Sequence, residues 1–341
     1  EVFASFKKKK KAEAKDIPAA TQIFTPNWIV KYMVENTAGK IWLDHKPNSP
    51  LKDQMKYLVA NEEVNTVSSS AVENENKALI NDVEQLTLID PACGSGHILV
   101  EGFELLYQMY QEEYYTPEEA VQTIFEKNLY GLDIDDRAAQ LATFAVLLKA
   151  AKVYPDVWDK NWQLNIYPMP EANSFSRQEV ADVLGEEGKD HIEALEKALQ
   201  LMQQAKNLGS VMQLNLSKET VDYIQERYQQ IQQAGHLDFN LTALLPKLEA
   251  YIPVLVTLSQ KYTAVVANPP YMGQKNMNAQ LKNYVSKTYP LSKSDLFAVF
   301  MESTLAMTIK EGLMGMINQH SWMFLSSFEA QKHTKSKKTH C

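Results

Sequence analysis

The apolar run from Tyr262 to Ala267 stops on Asn268-Pro269-Pro270-Tyr271, a sequence that extends neither a sheet nor a helix. Proline has no backbone donor for a ladder and fixes its own φ, so Pro269 and Pro270 end the strand and hold the amide and the ring beside them in one shape. A second stretch, DPACGSG at residues 90 to 96, follows another apolar strand and opens a helix near His97. Gly94 and Gly96 let backbone come close to a ligand there, and the helix start offers amide hydrogens and a positive dipole end, which suits an anion. The phosphate of a nucleotide fits, and so does the carboxylate of an amino-acid-like ligand. The dinucleotide fingerprint fails because Leu99 stands where its third glycine belongs, and the phosphate-loop ending Gly-Lys-Ser/Thr is missing. A Gly-x-Gly turn also serves as a plain tight turn between strand and helix. The third stretch, GLDID, adds weight: Asp133 closes the next strand, where a carboxylate can accept hydrogen bonds from both hydroxyls of a ribose. Asp135 and Asp136 read as caps of the helix that follows. The two strand ends together describe a site for a ligand with a ribose in the middle and a carboxylate at one end.

These residues need a scaffold, and the hydrophobic pattern supplies one. After a Thr25-Pro26 start, Ile29, Met33 and Trp42 mark an amphipathic helix within residues 21 to 42. Residues 44 to 80 are polar and read as a surface excursion. A strand to Asp90, a helix with Leu99, Phe103, Leu106 and Tyr110 on one face, a strand to Asp133 and another helix then alternate as in a doubly wound parallel sheet. Residues 176 to 252 break the alternation with successive helical stretches, one carrying Ile192, Leu195, Leu199 and Met202 and another Ile224, Tyr228 and Ile231, which reads as a helical insertion. The sheet resumes before Asn268, and residues 312 to 324 offer one more strand. The expected organisation is a basic linker at 1–20, a first half at 21–175, the insertion at 176–260, a second half at 261–328 and an unstructured tail at 329–341.

The composition, 45% hydrophobic and 22% charged over 341 residues, is that of an ordinary globular protein. Two cysteines, Cys93 and Cys341, are too few for a disulfide framework or a cysteine-based zinc site, and no metal is expected. No apolar run reads as a membrane span and no export signal is evident, so a cytoplasmic protein without a membrane partner is expected. The net charge of −8 argues mildly against nucleic acid, although charge acts locally. The chain starts at Glu1, runs into Lys7 to Lys11 and finishes on a basic, aperiodic stretch, as expected of a piece of a longer protein. The lysine run itself reads as a solvated face or linker.

Thr25-Pro26 within IFTP, DPACGSG, GLDID and NPPY, in that order, resemble the amino-group DNA methyltransferases, and the upstream element with the Asn-Pro-Pro-Tyr form resembles their adenine-N6 branch. The resemblance covers about residues 21 to 328; the insertions and the stretches DLFAVFMEST and INQHSWMF are most similar to the large adenine methyltransferases of bacterial phage defence, and among these to the methyltransferase subunit of phage-exclusion (BREX) systems. It implies an α/β, Rossmann-like, doubly wound, mostly parallel sheet of the S-adenosylmethionine-dependent type, carrying the insertion. It also implies S-adenosylmethionine as cofactor, double-stranded DNA with a flipped base as substrate, and defence-system subunits as partners. An exocyclic adenine amine is a poor nucleophile because its lone pair is delocalised into the ring. The Asn268 side-chain oxygen and the Pro269 carbonyl would accept its hydrogens and stabilise charge as it attacks a sulfonium methyl, Pro270 would keep the loop rigid, and Tyr271 would stack on the base. The resemblance gives Thr25 to the methionine moiety, Asp90 to the neighbourhood of the cofactor's amino group and Gly94, Gly96 and Asp133 to the cofactor. It calls for an adenine-contacting polar residue after the third strand, for which Asn173 in YPMPEANSF is the candidate. Phe24 is a further candidate for the cofactor pocket or for core packing. Cys93 belongs to the turn, since no covalent intermediate is needed.

Between Lys275 and Lys293 lie Lys275, Lys282, Lys287 and Lys293 and no acid, interleaved with Tyr284 and Tyr289, in what reads as the loop after the catalytic motif. A solvated loop and contact with DNA phosphates are both open, and the location favours the second. The pattern further expects strands beyond 328, an aromatic facing Tyr271 and a target-recognition domain, none of which is visible. Two other functions fit: a protein glutamine-N5 methyltransferase, because NPPY also suits a planar side-chain amide, and a non-catalytic cofactor- or DNA-binding subunit of a defence complex.

Overall fold

The computed structural model describes residues 25–59, 78–234, 236 and 238–319. Phe24, Lys7 to Lys11, the end of the expected last strand and the tail lie outside them. In chain order the elements are α1 (Asn27–Val34), continuing through a π turn at Glu35–Gly39 into α2 (Lys40–His45); β1 (Leu88–Asp90); α3 (His97–Glu112); α4 (Pro117–Thr123); β2 (Leu129–Asp133); α5 (Asp136–Val153); β3 (Asn165–Pro168); α6 (Arg177–Leu184); α7 (Ile192–Met202); the short α8 (Ala205–Leu208); α9 (Lys218–Gln233); α10 (Phe239–Ser259); β4 (Tyr262–Ala267); α11 (Ala279–Thr288); α12 (Leu296–Met307); and β5 (Thr308–Met316).

The five strands pair in parallel in the order β3-β2-β1-β4-β5. The order turns back between β1 and β4, and open sheets of this kind place ligands beyond the carboxyl ends of the strands at that point. Asp90 pairs with Gly131 and Asp133 with Pro168, so the acidic ends of β1 and β2 come out on the same edge as Asn268 beyond β4.

Alternation along the strands sorts two cores. Leu88, Leu129, Ala264 and Val266 face the side packed by α1 to α5, with Trp42, Leu99, Phe103, Leu106 and Tyr110. Ile89, Leu132, Tyr262 and Val265 face the other side. That second layer is made by the helices of residues 176 to 260 together with α11 and α12, through Leu199, Met202, Tyr251, Leu255 and Val299. The stretch that interrupts the sequence pattern therefore supplies much of the layer on one face of the sheet. Its helices start where short polar side chains cap them: Ser176 and Glu179 form a capping box on α6, Ser217 caps α9 and Asp238 caps α10.

Two expectations change. α10 is long and apolar enough to cross a membrane by length and composition, although the raw sequence did not read that way. Leu244, Leu248, Tyr251, Ile252 and Leu255 are buried in the second core, so its apolarity serves packing. The last strand starts at Thr308 rather than 312, because the register shifts against β4 beyond Tyr262 and Glu311 takes a φ of 69°; a bulge with charged residues hides the strand's first residues from a hydrophobicity scan.

Candidate active site

A cavity of about 460 Å³ opens at the switch point, and six of the residues singled out by type and spacing reach it. Thr25, Asp90, Gly94, Asp133, Asn268 and Pro270 all line it.

The glycine turn is built from backbone. Gly94 and Gly96 have φ of 52° and 84°, in the left-handed region. A Cβ on Gly96 would lie 2.8 Å from the Ala142 Cα of α5, so this residue also sets how closely turn and helix pack. Leu99, in place of a third glycine, is fully buried in the first core, with its Cδ1 2.7 Å from where a Gly131 Cβ would stand. The Gly94 N–H donates to Asp133 Oδ2 at 2.8 Å and the Asp135 N–H to Asp133 Oδ1 at 2.8 Å, so one carboxylate ties the turn to the end of β2. Each oxygen keeps a lone pair for another donor. Burial raises the Asp133 pKa above its ordinary value, against those two N–H groups, which lower it. Asp135 caps α5 by accepting from the Arg137 N–H at 2.9 Å, whereas Asp136 pairs with Lys206.

Asp90 is 1% exposed. Burial pushes its pKa up to about 8, the nearby Asp133 charge adds to the rise, and the Ala92 N–H donated to Oδ1 at 3.0 Å opposes it. Such a carboxyl is primed to welcome a cation. Cys93 is buried and its thiol is held well above its usual pKa by burial and by Asp90 and Asp133, so it stays a thiol in the turn.

Asn268 Nδ2 donates to Thr25 Oγ1 at 2.8 Å, joining the upstream threonine to the asparagine across the site. Thr25 is 8% exposed and precedes α1, which an ion pair between Lys31 and Glu101 (3.3 Å) holds against α3. Pro269 is buried and Pro270 half-buried. The Tyr271 hydroxyl donates to the Ile317 carbonyl at 2.8 Å, and its ring lies 5.9 Å from that of Phe297, tilted by 39°. Tyr271 is half-buried beside the cavity and is not among its walls. The Met272 N–H donates to Asp295 Oδ1 at 3.1 Å, which anchors the end of this loop to the cap of α12.

Residues 127–340 match the family of Eco57I restriction-modification methylases, and residues 68–161 match the N-6 DNA methylases. The chain belongs to the Eco57I restriction-modification methylase family. It is 38% identical over 342 residues to adenine-specific methyltransferase BrxX of Escherichia coli O9:H4 (strain HS), which covers 94% of this chain and 28% of that protein. Identity is also 38%, over 347 residues, to adenine-specific methyltransferase PglX of Lacticaseibacillus casei (strain Zhang), covering 98% and 28%. A putative type II restriction enzyme and methyltransferase of Methanocaldococcus jannaschii is 28% identical over 144 residues, covering 37% and 11%. The chain thus spans 28% of the length of the first two relatives.

Other site residues fall differently. Asn173 is exposed, its N–H donates to the Tyr251 hydroxyl at 2.8 Å, and it is not among the cavity walls. The far wall instead comes from Asn207, Leu208, Gly209 and Ser210, within the interrupting helices, and from Leu281, Leu296 and Phe300. The quoted stretch DLFAVFMEST was the only sequence signal for Leu296 and Phe300. No local pattern marked Asn207. The lysine-rich segment is not a simple loop, since α11 occupies Ala279–Thr288. Lys275, Lys282, Lys287 and Lys293 are exposed and make no ion pair among the described residues. The tyrosines between them turn inward: Tyr289 is fully buried and its hydroxyl donates to the Val211 carbonyl at 2.5 Å, while the Tyr284 oxygen accepts the Gln213 N–H at 2.8 Å.

Proposed function

We propose that this chain is the catalytic core of a DNA adenine-N6 methyltransferase that takes its methyl group from S-adenosylmethionine and serves phage defence or restriction-modification, in the cytoplasm with double-stranded DNA. The observation that carries this reading is that Asn268, at the end of β4, opens into the same cavity as Asp90, Gly94 and Asp133. The relatives named adenine-specific methyltransferases support it.

The donor set suits that cofactor. A ribose fits the remaining lone pairs of Asp133, a carboxylate fits the first turn of α3 beyond Gly94 and Gly96, and an ammonium fits the buried carboxyl of Asp90. When bound, the sulfonium supplies an electrophilic methyl. This chain's residues would prepare the amine that receives it. The Asn268 side-chain oxygen and the Pro269 carbonyl accept its two hydrogens, which localises the nitrogen lone pair and stabilises positive charge as the N–C bond forms and the S–C bond breaks. The methylated nitrogen, now cationic and acidic, would then release a proton to solvent. Thr25 holds the Asn268 amide by its nitrogen, Asp295 and the prolines hold the loop, and little reorganisation is left for the reaction. Tyr271, fixed through its hydroxyl, offers a ring to a base flipped from the duplex. The exposed lysines on and around α11 would meet DNA phosphates.

In the full-length protein, Asn268→Ala is expected to lower methyl transfer to unmethylated DNA by at least about a hundredfold, the scale of losing one oriented acceptor at the reacting group, with S-adenosylhomocysteine binding kept. Unchanged transfer would refute the role of Asn268. Transfer to a glutamine peptide but not to adenine would replace the substrate with a protein amide, and absence of transfer to either by the wild-type protein would leave a binding subunit.

A further inference from the structure

We infer that Asn207, on the short helix α8 of the interrupting segment, is a cofactor-binding residue that donates a hydrogen bond from Nδ2 to the nucleoside half of the ligand in this cavity. This rests on the reading of the cavity as a nucleoside site.

The hydrogen bonds around Asn207 fix which way its amide points. Asn278 caps α11 by accepting the Leu281 N–H on its side-chain oxygen at 2.9 Å, so what it has left to offer is its amino group. That group donates to Asn207 Oδ1 at 2.5 Å. Asn207 therefore presents its own amino group elsewhere, and Nδ2 is buried with no hydrogen-bond partner among the described residues. The residue is 8% exposed and lines the cavity. A buried amide donor left without an acceptor loses the hydrogen bond that water would have given it, which is unfavourable. An acceptor on a ligand in the cavity removes that cost.

Its neighbours say which half of the ligand it meets. Lys206 Nζ donates to the Ile134 carbonyl at 3.1 Å, one residue beyond Asp133. Ser210 Oγ donates to the Pro91 carbonyl at 2.6 Å, one residue beyond Asp90. Asn207 thus lies between one residue anchored on the end of β2 and another anchored on the end of β1, and it lines the same cavity as the carboxylate suited to a ribose. The acceptors a nucleoside presents there are purine ring nitrogens and ribose oxygens. The target base, by contrast, is to be gripped at Asn268, beyond β4.

The test measures binding to the full-length protein without DNA, using S-adenosylhomocysteine and 5′-methylthioadenosine, the second lacking the amino-acid arm. Asn207→Asp keeps the acceptor for Asn278 and removes the donor; Asn207→Leu removes both; Asn278→Ser keeps a cap on α11 and removes only the tether. The expected result is a five- to tenfold weaker affinity for both compounds in both Asn207 variants, the scale of one hydrogen bond, a smaller loss for both compounds in Asn278→Ser, which leaves the Asn207 donor in place but no longer oriented, and unfolding midpoints showing all three folded. Equal affinities in wild type and Asn207→Asp would overturn the inference. So would a loss confined to S-adenosylhomocysteine, which places Asn207 on the amino-acid arm, or intact binding with slowed transfer at saturating cofactor, which places it on the target base. Wild-type protein that binds neither compound would instead overturn the reading of the cavity.

Discussion

The two walls of the cavity are built on different principles. The wall at the sheet edge consists of strand ends and one glycine turn, held by backbone ladders and by the Asp133 carboxylate accepting two amide hydrogens at 2.8 Å each. The opposite wall consists of side chains delivered by helices from residues 205 to 300, held by packing in the second core and by long-range hydrogen bonds: Ser210 to Pro91, Tyr289 to Val211, Asn278 to Asn207. The first wall has little freedom, because moving any part of it breaks ladder pairs. The second has no ladder: it rests on side-chain packing in the second core, which side chains can readjust, and on polar contacts of one hydrogen bond each. In the proposed function, groups that would hold charge or aim a reacting atom sit on the rigid side, and groups that would enclose the ligand sit on the adjustable side.

The largest effect should come from disturbing the rigid wall at its tightest point. Gly96→Ala would force a Cβ to 2.8 Å from the Ala142 backbone at a φ of 84°, combining overpacking with a left-handed conformation. A loss of about 3–5 kcal/mol in denaturant unfolding is expected. Gly94→Ala, with φ of 52° and no atom within 4 Å of the new Cβ, should cost only the backbone strain, about 1–3 kcal/mol. Equal losses at the two positions would mean that the turn yields as easily as the far wall, and the contrast would fail.

The rigid wall also carries a pH signature. Asp90 has its pKa raised to about 8 in the folded chain, from an ordinary aspartate value, chiefly by burial. A raised carboxyl favours folding while protonated, so its contribution is complete below about pH 4, the unfolded value, and is lost as pH rises through about 8. Asp90→Asn, which keeps the shape without the charge, should flatten the decline of stability between those pH values by up to about 1.4 kcal/mol per unit. Parallel stability-pH curves for wild type and variant would contradict the buried position of this carboxyl.

The same contrast explains what the sequence disclosed. The glycine turn, Asp133 and Asn268 are contiguous with the strands that position them, so periodicity and a few residue types were enough to find them. Asn207 meets Asn278, 71 residues away, and nothing near it in the chain announces that contact. Asn173 was the reasonable choice after the third strand, but the chain there runs along the surface and Tyr251 takes its backbone. Tyr284 and Tyr289 alternate with lysines and so resemble a binding surface, yet Tyr284 on α11 and Tyr289 just past its end pack into the second core while the lysines stay exposed. The stretch 176 to 260 lacks strands and so reads as an addition, while in space it supplies much of the layer on one face of the sheet. Which helix covers which face is decided by contacts between distant residues, and a single sequence does not print them.

The smallest effect on the fold should come from the outer surface of the adjustable wall. Lys275, Lys282, Lys287 and Lys293 are exposed and unpaired among the described residues, so replacing all four with Gln should leave the unfolding free energy within about 0.5 kcal/mol per site. Their proposed work is on DNA. Each lysine that neutralises a phosphate releases counterions, so the slope of log affinity against log salt should shrink by about 0.9 for each, or roughly 3 to 4 if all four engage. Measured on the full-length protein across several salt concentrations, an unchanged slope would return these lysines to the role of a solvated face. A changed slope with unchanged cofactor affinity would show that the adjustable wall has two independent sides, one turned to the cavity through Asn207 and Leu281 and one turned to the duplex.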